Sequence, residues 1–160
     1  MSKHEIEQRP HRESPIPKSV LNFYVLSNRL NEIKRQGWLD RGIKDNPETV
    51  LDHSNAIALM SGFEARRLGL DAEKDMVMAL IHDLPEIYAG DITPHQNLPE
   101  EQKIEAMQKW IPPTEEDLKE KHAKEEKALQ KIVHGLPEDL RTTISMLWNE
   151  YNEGKTEEAK

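Results

Sequence analysis

The sequence predicts an all-α fold in a single domain of about six helices. Apolar residues recur at helical spacing in successive segments that are bounded by capping residues, glycine and proline. No stretch alternates apolar and polar residues over a useful strand length, and no long internal repeat is present. The 160 residues suffice for one domain with a real core.

The first part of the chain predicts an arm and two helices. Residues 1–18 combine prolines and charges and predict a flexible arm, so that the domain spans 19–160. A first helix is predicted from a cap at Ser19 to a stop at Gly37, with a loop over 38–48. A second helix is predicted over 48–68. The predicted stripe of the first helix is Leu21, Val25, Leu26, Leu30 and Ile33, and the apolar positions of the second include Val50, Ile57, Met60, Ala65 and Leu68.

The middle of the chain predicts a helix that ends in polar residues. Asp71 caps it, and its apolar run reaches His82 and Asp83 before Pro85 disturbs the backbone ladder. A loop is predicted over 90–99, and a charged helix from about residue 100 to Trp110.

Two further helices complete the predicted bundle. Thr114 and Asp117 resemble a capping box that starts a long polar helix reaching His134. The acids of 115–126 predict a solvated face, and all histidines other than His53 and His82 are predicted at the surface. The last helix ends at Gly154, and "TEEAK" predicts the cap and first turn of another, with Thr156 at the N-cap. The predicted buried face of the last helix is Leu140, Ile144, Leu147, Trp148 and Tyr151.

Composition excludes several classes of function. The net charge of −8 and the absence of a clustered basic face disfavour a nucleic-acid polymer as partner. No apolar run approaches membrane-spanning length, and the charged N-terminus does not resemble a signal peptide, so we expect a cytoplasmic protein that binds no membrane. Without cysteine, a metal site must use imidazole and carboxylate, which suits Mn, Co, Mg, Fe or Zn.

The stretch "ALIHDLPEIYAGDITP" carries the predicted chemistry. An ionised Asp83 at the end of an apolar helix is costly to bury without a partner, and a cation is one of the few remedies. His53 lies on the preceding helix at the spacing of its core positions. His53, His82 and Asp83 are therefore predicted metal ligands, and Glu86 a proton relay or a ligand to a second ion.

Structural roles compete with each of these assignments. His53 can be a satisfied core histidine, and Asp83 and Glu86 can cap or solvate a helix end. Asp91 follows Gly90 and can be a simple turn residue. These alternatives stay open at the level of the residues.

The motifs resemble those of a known family. "RQGWLDRGI…PETVLDHS", "LIHDLPEIYAGDITP" and the stretch from "EEKALQKIVHG" to "EEAK" are similar to segments of the HD-domain metal-dependent phosphohydrolases. Within that family the chain resembles the small HD proteins that act as 5′-deoxynucleotidases. The likeness covers residues 20–160. The three segments in this order are a specific signature of the family, whereas the dipeptide "HD" alone is not.

The resemblance implies roles for particular residues. It implies an HD-domain helical bundle that holds a divalent metal through His53, His82, Asp83 and one later aspartate. Glu86 matches the catalytic acidic position, and Asp91 matches a position that supports catalysis and that, with the Ile92 carbonyl, contributes to extra metal binding in close relatives. The substrate-side loop is matched by Arg35, Trp38 and Arg41, where Arg can clamp phosphate and Trp can stack on a base or sugar. The competing interpretations are that the arginines are ordinary surface residues and that Trp38 is a hydrophobic plug.

Two features depart from the family pattern. The family's last metal aspartate lies in a helix after "EEAK", so either the chain continues past Lys160 or the site has three protein ligands. The stretch over 98–122 is longer than expected, and it can reshape the pocket entrance or a dimer contact.

The expected function is release of phosphate from deoxynucleoside 5′-monophosphates by attack of metal-bound water, in a protein that the family suggests is a homodimer. The alternatives are an HD phosphohydrolase acting on another nucleotide, a non-catalytic helical interaction module with a vestigial metal site, and an acidic helical scaffold without metal.

Overall fold

The computed structural model describes residues 15–93, 98–109 and 112–160, and it is helical as predicted. The described residues form no β-strand, and their β-type pairing is an isolated antiparallel bridge between Lys34 and Thr49. None of the described helices is long and apolar enough to cross a membrane. The helices are α1 (Lys18–Ser27), a 3₁₀ helix (Asn28–Glu32), α2 (Gln36–Asp40), α3 (Val50–Leu68), α4 (Ala72–Ile81), α5 (Glu86–Ala89), α6 (Glu100–Gln108), α7 (Glu115–Val133) and α8 (Glu138–Glu153).

Local capping explains most of the helix boundaries. Asp71 accepts from Lys74 N at the start of α4, and Thr114 and Asp117 form a full capping box at the start of α7. Gly69 and Gly154 end α3 and α8 in the left-handed conformation, where a side chain would be strained. The predicted ends of these helices are confirmed to within a few residues.

The core brings α8 against the end of α4. Trp148 is fully buried and its Nε1 donates to the carbonyl oxygen of His82 at 3.1 Å. Gly62 lets α3 and α4 approach closely, since a methyl group there would overlap Met76. The remaining buried apolar residues of this core are Leu30, Val50, Ile81, Leu84, Ile87, Leu129, Ile132, Val133 and Leu136.

The long first helix predicted over 19–37 is wrong. The chain leaves the helix at Ile33, which has extended backbone and whose carbonyl accepts from Val50 N. Gly37 lies inside the short helix α2, so the predicted loop over 38–48 begins too early. The predicted stripe is also only partly buried, because Leu21 and Val25 are 48% and 67% exposed. A non-local backbone bridge has overridden a helical pattern.

The buried faces of α7 and α8 differ from the prediction. Glu125, expected on a solvated face, is buried beside Lys121, whose Nζ lies 3.5 Å from its carboxylate. Leu140 and Tyr151, expected in the core, are 38% and 41% exposed. Likewise Met60 and Leu68 of α3 are exposed. Helical spacing gives the direction of a side chain, whereas burial depends on which neighbour covers it.

The end of the described chain turns instead of starting a helix. The Thr156 hydroxyl donates to Glu150 at 2.6 Å, so it is not used as the predicted cap. Most of the predicted arm (residues 1–14), together with His95 and Trp110, lies outside the described residues.

Candidate metal centre

His82 and Asp83 follow directly after α4, where the chain turns toward Pro85. The Nδ1 atom of His82 lies 2.6 Å from the carbonyl oxygen of Ala79. Because a carbonyl can only accept, Nδ1 carries the proton and a neutral ring presents the lone pair of Nε2. Nε2 lies 3.0 Å from Asp83 Oδ2, so the two atoms need a cation, either a proton or a metal, between them.

His53 approaches the same carboxylate from α3. Its position is fixed at the start of that helix by the capping box of Thr49 and Asp52. His53 Nε2 lies 3.9 Å from Asp83 Oδ2, and the two imidazole centroids are 5.6 Å apart. One ligand atom each from His53, His82 and Asp83 fall within 4.8 Å of one another.

The protonation states of this group favour cation binding. Burial and the nearby Arg35 charge lower the pKa of His53, which favours the neutral imidazole that binds metals. Burial opposes ionisation of Asp83, but the contacts with His82, Arg35 and His53 outweigh it and hold the pKa of Asp83 below its ordinary value. The site therefore combines the neutral imidazole of His53 with an ionised carboxylate, two members of the donor set that a borderline divalent ion takes.

Glu86, in the first position of α5, is a buried acid without a hydrogen-bond partner among the described residues. Its side chain is 1% exposed, and neither carboxylate oxygen has such a partner. Burial, helped by the charges of Asp83 and Asp91, raises the pKa of Glu86 to about 10. The raised pKa favours a protonated Glu86 at neutral pH, and the burial of its side chain argues against the alternative of an acid solvated at a helix end.

Arg35 joins the acids of the site. Its Nη1 donates to Asp83 Oδ2 at 2.9 Å and lies 3.9 Å from Glu86 and 3.5 Å from Asp91. Asp91 also accepts from Gln36 N at 2.8 Å, so its carboxylate is more than a turn residue. The guanidinium thus lies where the sequence suggested a second ion between Glu86 and Asp91, and Ile92 is half-buried next to Asp91.

A pocket of about 470 Å³ opens beside His53. It contains all three residues predicted on the substrate side, of which Trp38 is 43% exposed. Arg41 donates to the Gly37 carbonyl at 2.9 Å. The lining residues are Arg35, Gly37, Trp38, Arg41, Glu48 and His53. The predicted metal and substrate residues therefore adjoin one another.

Sequence reasoning missed two acids near this pocket. Glu48 accepts from Trp38 Nε1 at 3.1 Å, and buried Asp40 accepts from Gln36 Nε2 at 2.6 Å and Thr93 Oγ1 at 3.1 Å. The available signal was weak: Glu48 directly precedes the helix cap Thr49, which places it one turn before His53.

Comparisons with known proteins agree with this arrangement. The HD domain family (HD_3) matches residues 27–160. The chain is 36% identical over 141 residues to the mouse "5'-deoxynucleotidase HDDC2" and 34% identical over 143 residues to the human protein of that name, covering 88% and 89% of this chain. It spans 61% and 60% of the length of these two relatives.

Solved structures give a similar result. A predicted metal-dependent phosphohydrolase from Magnetospirillum magnetotacticum aligns with a TM-score of 0.64 at 27% identity, over 88% of this chain and 62% of that one. A conserved hypothetical protein from Pyrococcus furiosus aligns with a TM-score of 0.59 at 29% identity, over 87% and 70%. The helical fold, the matched residues and these relatives together show that the chain belongs to the HD domain family.

Proposed function

We propose that the protein is a metal-dependent phosphohydrolase that acts as a 5′-deoxynucleotidase on deoxynucleoside 5′-monophosphates. The observation that supports it is the convergence of His53, His82 and Asp83 beside a pocket that carries Arg35 and Trp38. The names of the mouse and human relatives support the same reaction and substrate class.

The donor atoms fit a divalent cation. His53, His82 and Asp83 would hold it, and the facing Nε2 and Oδ2 atoms of His82 and Asp83 are the observation that favours a shared cation. Such an ion supplies a Lewis acid that polarises a phosphoryl oxygen and activates water at neutral pH. Nitrogen and oxygen donors suit Mn, Co, Mg, Fe or Zn.

The pocket residues provide the other requirements of the reaction. The Arg35 guanidinium faces both the acids and the pocket, so it can bind an incoming phosphate. Arg41 adds a second cation, and the exposed Trp38 indole offers a face for a base or sugar. These three residues are the proposed substrate contacts.

Glu86 and Asp91 are the proposed proton-handling groups. Glu86 holds a proton at neutral pH next to Asp83, so it can protonate the departing 5′-oxygen. Asp91 keeps Gln36 N and Arg35 in place and can exchange a proton with water. If Arg35 moves toward phosphate and Glu86 loses its proton, Glu86, Asp91 and the Ile92 carbonyl would be available as a second ion site, the alternative role of Glu86.

Phosphate release tests the proposal directly. Purified protein is incubated with each deoxynucleoside 5′-monophosphate and the matching ribonucleotide, with added Co or Mn, and compared with His82→Ala. We expect the wild type to release phosphate from the deoxynucleotides and the variant to be inactive. Equal inactivity of both proteins on every phosphate ester, including in a chain extended past Lys160, would contradict the enzyme proposal.

We also propose that the protein forms a homodimer. Helix α3 exposes Leu59, Met60 and Phe63, which are 59%, 72% and 69% exposed. Exposed apolar side chains that share one helix face favour a protein contact. Sedimentation equilibrium should show a dimer that Phe63→Glu weakens, and a wild type that stays monomeric at high concentration would contradict the proposal.

A further inference from the structure

Glu48 is held at the pocket by its backbone. The amide of Arg35 donates to the Glu48 carbonyl at 2.9 Å, and the amide of Val50 donates to Ile33 at 2.9 Å on the other side of the Lys34–Thr49 bridge. Glu48 also directly precedes the capping residue of α3. Its side chain therefore starts from a fixed point between the substrate-side loop and the helix that carries His53.

One oxygen of the Glu48 carboxylate faces two functional side chains. Oε2 accepts from Trp38 Nε1 at 3.1 Å and lies 3.7 Å from His53 Nδ1. His53 Nε2, the other ring nitrogen, faces Asp83. The His53 ring thus lies between two carboxylates, with Glu48 on the pocket side and Asp83 on the side of the metal centre.

We propose that Glu48 is a positioning residue that links the substrate-side indole of Trp38 to the metal-ligating imidazole of His53. A carboxylate beside Nδ1 stabilises the tautomer that carries its proton there, so the lone pair of Nε2 faces Asp83. The same oxygen orients the Trp38 indole along the pocket wall. This inference rests on the metal centre of the proposed function and adds a residue to it.

Metal titration without nucleotide tests the link to His53. Binding of Co²⁺ alone is measured by calorimetry for the wild type, Glu48→Ala, Glu48→Gln and Asp45→Ala, which removes an exposed acid from the same loop. We expect Glu48→Ala to bind Co²⁺ about 10- to 100-fold more weakly, as loss of such outer partners typically does. Glu48→Gln keeps an acceptor oxygen and should lie in between, while Asp45→Ala should match the wild type.

The tautomer of His53 separates positioning from a simple loss of charge. In metal-free protein, ¹⁵N chemical shifts of the imidazole nitrogens report which one carries the proton. We expect a larger share of the Nδ1–H form in the wild type than in Glu48→Ala, where Asp83 alone of the two carboxylates still faces the ring. Wild-type Co²⁺ affinity together with an unchanged tautomer in Glu48→Ala would overturn the proposal. Circular dichroism checks folding, and Glu48→Gln is judged by the same two measurements if Glu48→Ala is unfolded.

Trp38→Phe completes the test. It removes the indole donor and leaves the Glu48 carboxylate beside His53, so Co²⁺ affinity should stay at the wild-type level while the KM for the nucleotide rises. Metal affinity that falls as far as in Glu48→Ala would overturn the assignment of Glu48 to His53. None of the metal or NMR measurements needs turnover, so a wild type that releases no phosphate would defeat the proposed function and leave this inference standing.

Discussion

Two clusters of acids in this protein differ in how many partners their carboxylates have. At the surface, Lys74 Nζ lies 2.8 Å from Glu150 and 3.0 Å from Glu158. Thr156 also donates to Glu150 at 2.6 Å, and the amide of Asp71 donates to Glu158 at 3.4 Å. Hydrogen bonds to Lys74 lower the pKa of Glu150, and hydrogen bonds to its own backbone and to Lys74 lower the pKa of Glu158. Each acid there has partners for its charge.

The candidate metal centre leaves one of its acids without a hydrogen-bond partner. Asp83, Glu86 and Asp91 share the guanidinium of Arg35, and Glu86 has no hydrogen-bond partner among the described residues. A fold selected only for stability would satisfy or remove such a buried acid. The surface cluster thus joins residues 150–158 to α4, whereas the buried cluster fits the proposed cation.

The largest expected effect comes from removing the shared ligand. Asp83→Asn takes away the carboxylate that both imidazoles and Arg35 face. We expect phosphate release to fall at least about a thousandfold, since metal catalysis supplies several kcal/mol. Initial rates with saturating Co²⁺ measure this, and Glu73→Gln, which changes an exposed acid of the preceding helix α4, should retain full activity. Equal rates in Asp83→Asn and the wild type would assign Asp83 to a structural role.

The second-largest effect is expected from removing the guanidinium of Arg35, the cation that the three acids share. In chelator, Arg35→Gln should lose about 2 kcal/mol of unfolding free energy, because three acids lose their shared partner and the site is only partly solvated. Added Co²⁺ should restore most of the loss, because an ion can replace the guanidinium. Urea unfolding with and without Co²⁺ measures both effects. If Co²⁺ does not reduce the loss of stability, the proposal that a bound ion can replace the Arg35 guanidinium is wrong.

The third prediction follows from the sign of the Glu86 shift. Because the pKa of this group is raised from 4.5 to about 10 on folding, the folded state keeps a proton that the unfolded state releases between these values. The stabilisation is full below pH 4.5 and disappears as pH rises toward 10, by at most about 1.4 kcal/mol per pH unit. Glu86→Gln should therefore show a flatter fall of stability from about pH 5 to about pH 9. Parallel curves for wild type and variant, measured by urea unfolding in chelator, would contradict the shift.

The sequence predicted what depends on local chemistry. The caps at Asp71 and Thr114 and the stop at Gly154 need only nearby residues, and the structure has all three. His53, His82 and Asp83 could be grouped because their two helices are neighbours in the chain and helical spacing fixes the direction of their side chains.

What the sequence did not predict depends on distant contacts. The bridge between Lys34 and Thr49 ends the first helix early and carries Arg35 to Asp83, 48 positions further along the chain. The same bridge places Glu48 between Trp38 and His53. No periodicity reports such a pairing, since one pair of backbone hydrogen bonds leaves no pattern in the sequence.

The smallest expected effect lies in the surface cluster. Lys74→Gln removes the cation between Glu150 and Glu158, yet these acids keep other donors, the Thr156 hydroxyl and the amide of Asp71, and stay partly exposed to water. We expect a loss below about 1 kcal/mol that shrinks further at high salt. Urea unfolding at low and high ionic strength measures it, with the exposed Lys119 of α7, changed to Gln, as the control. If Lys74→Gln lost as much unfolding free energy as Arg35→Gln, the acids of the surface cluster would depend on their cation as strongly as the buried acids do.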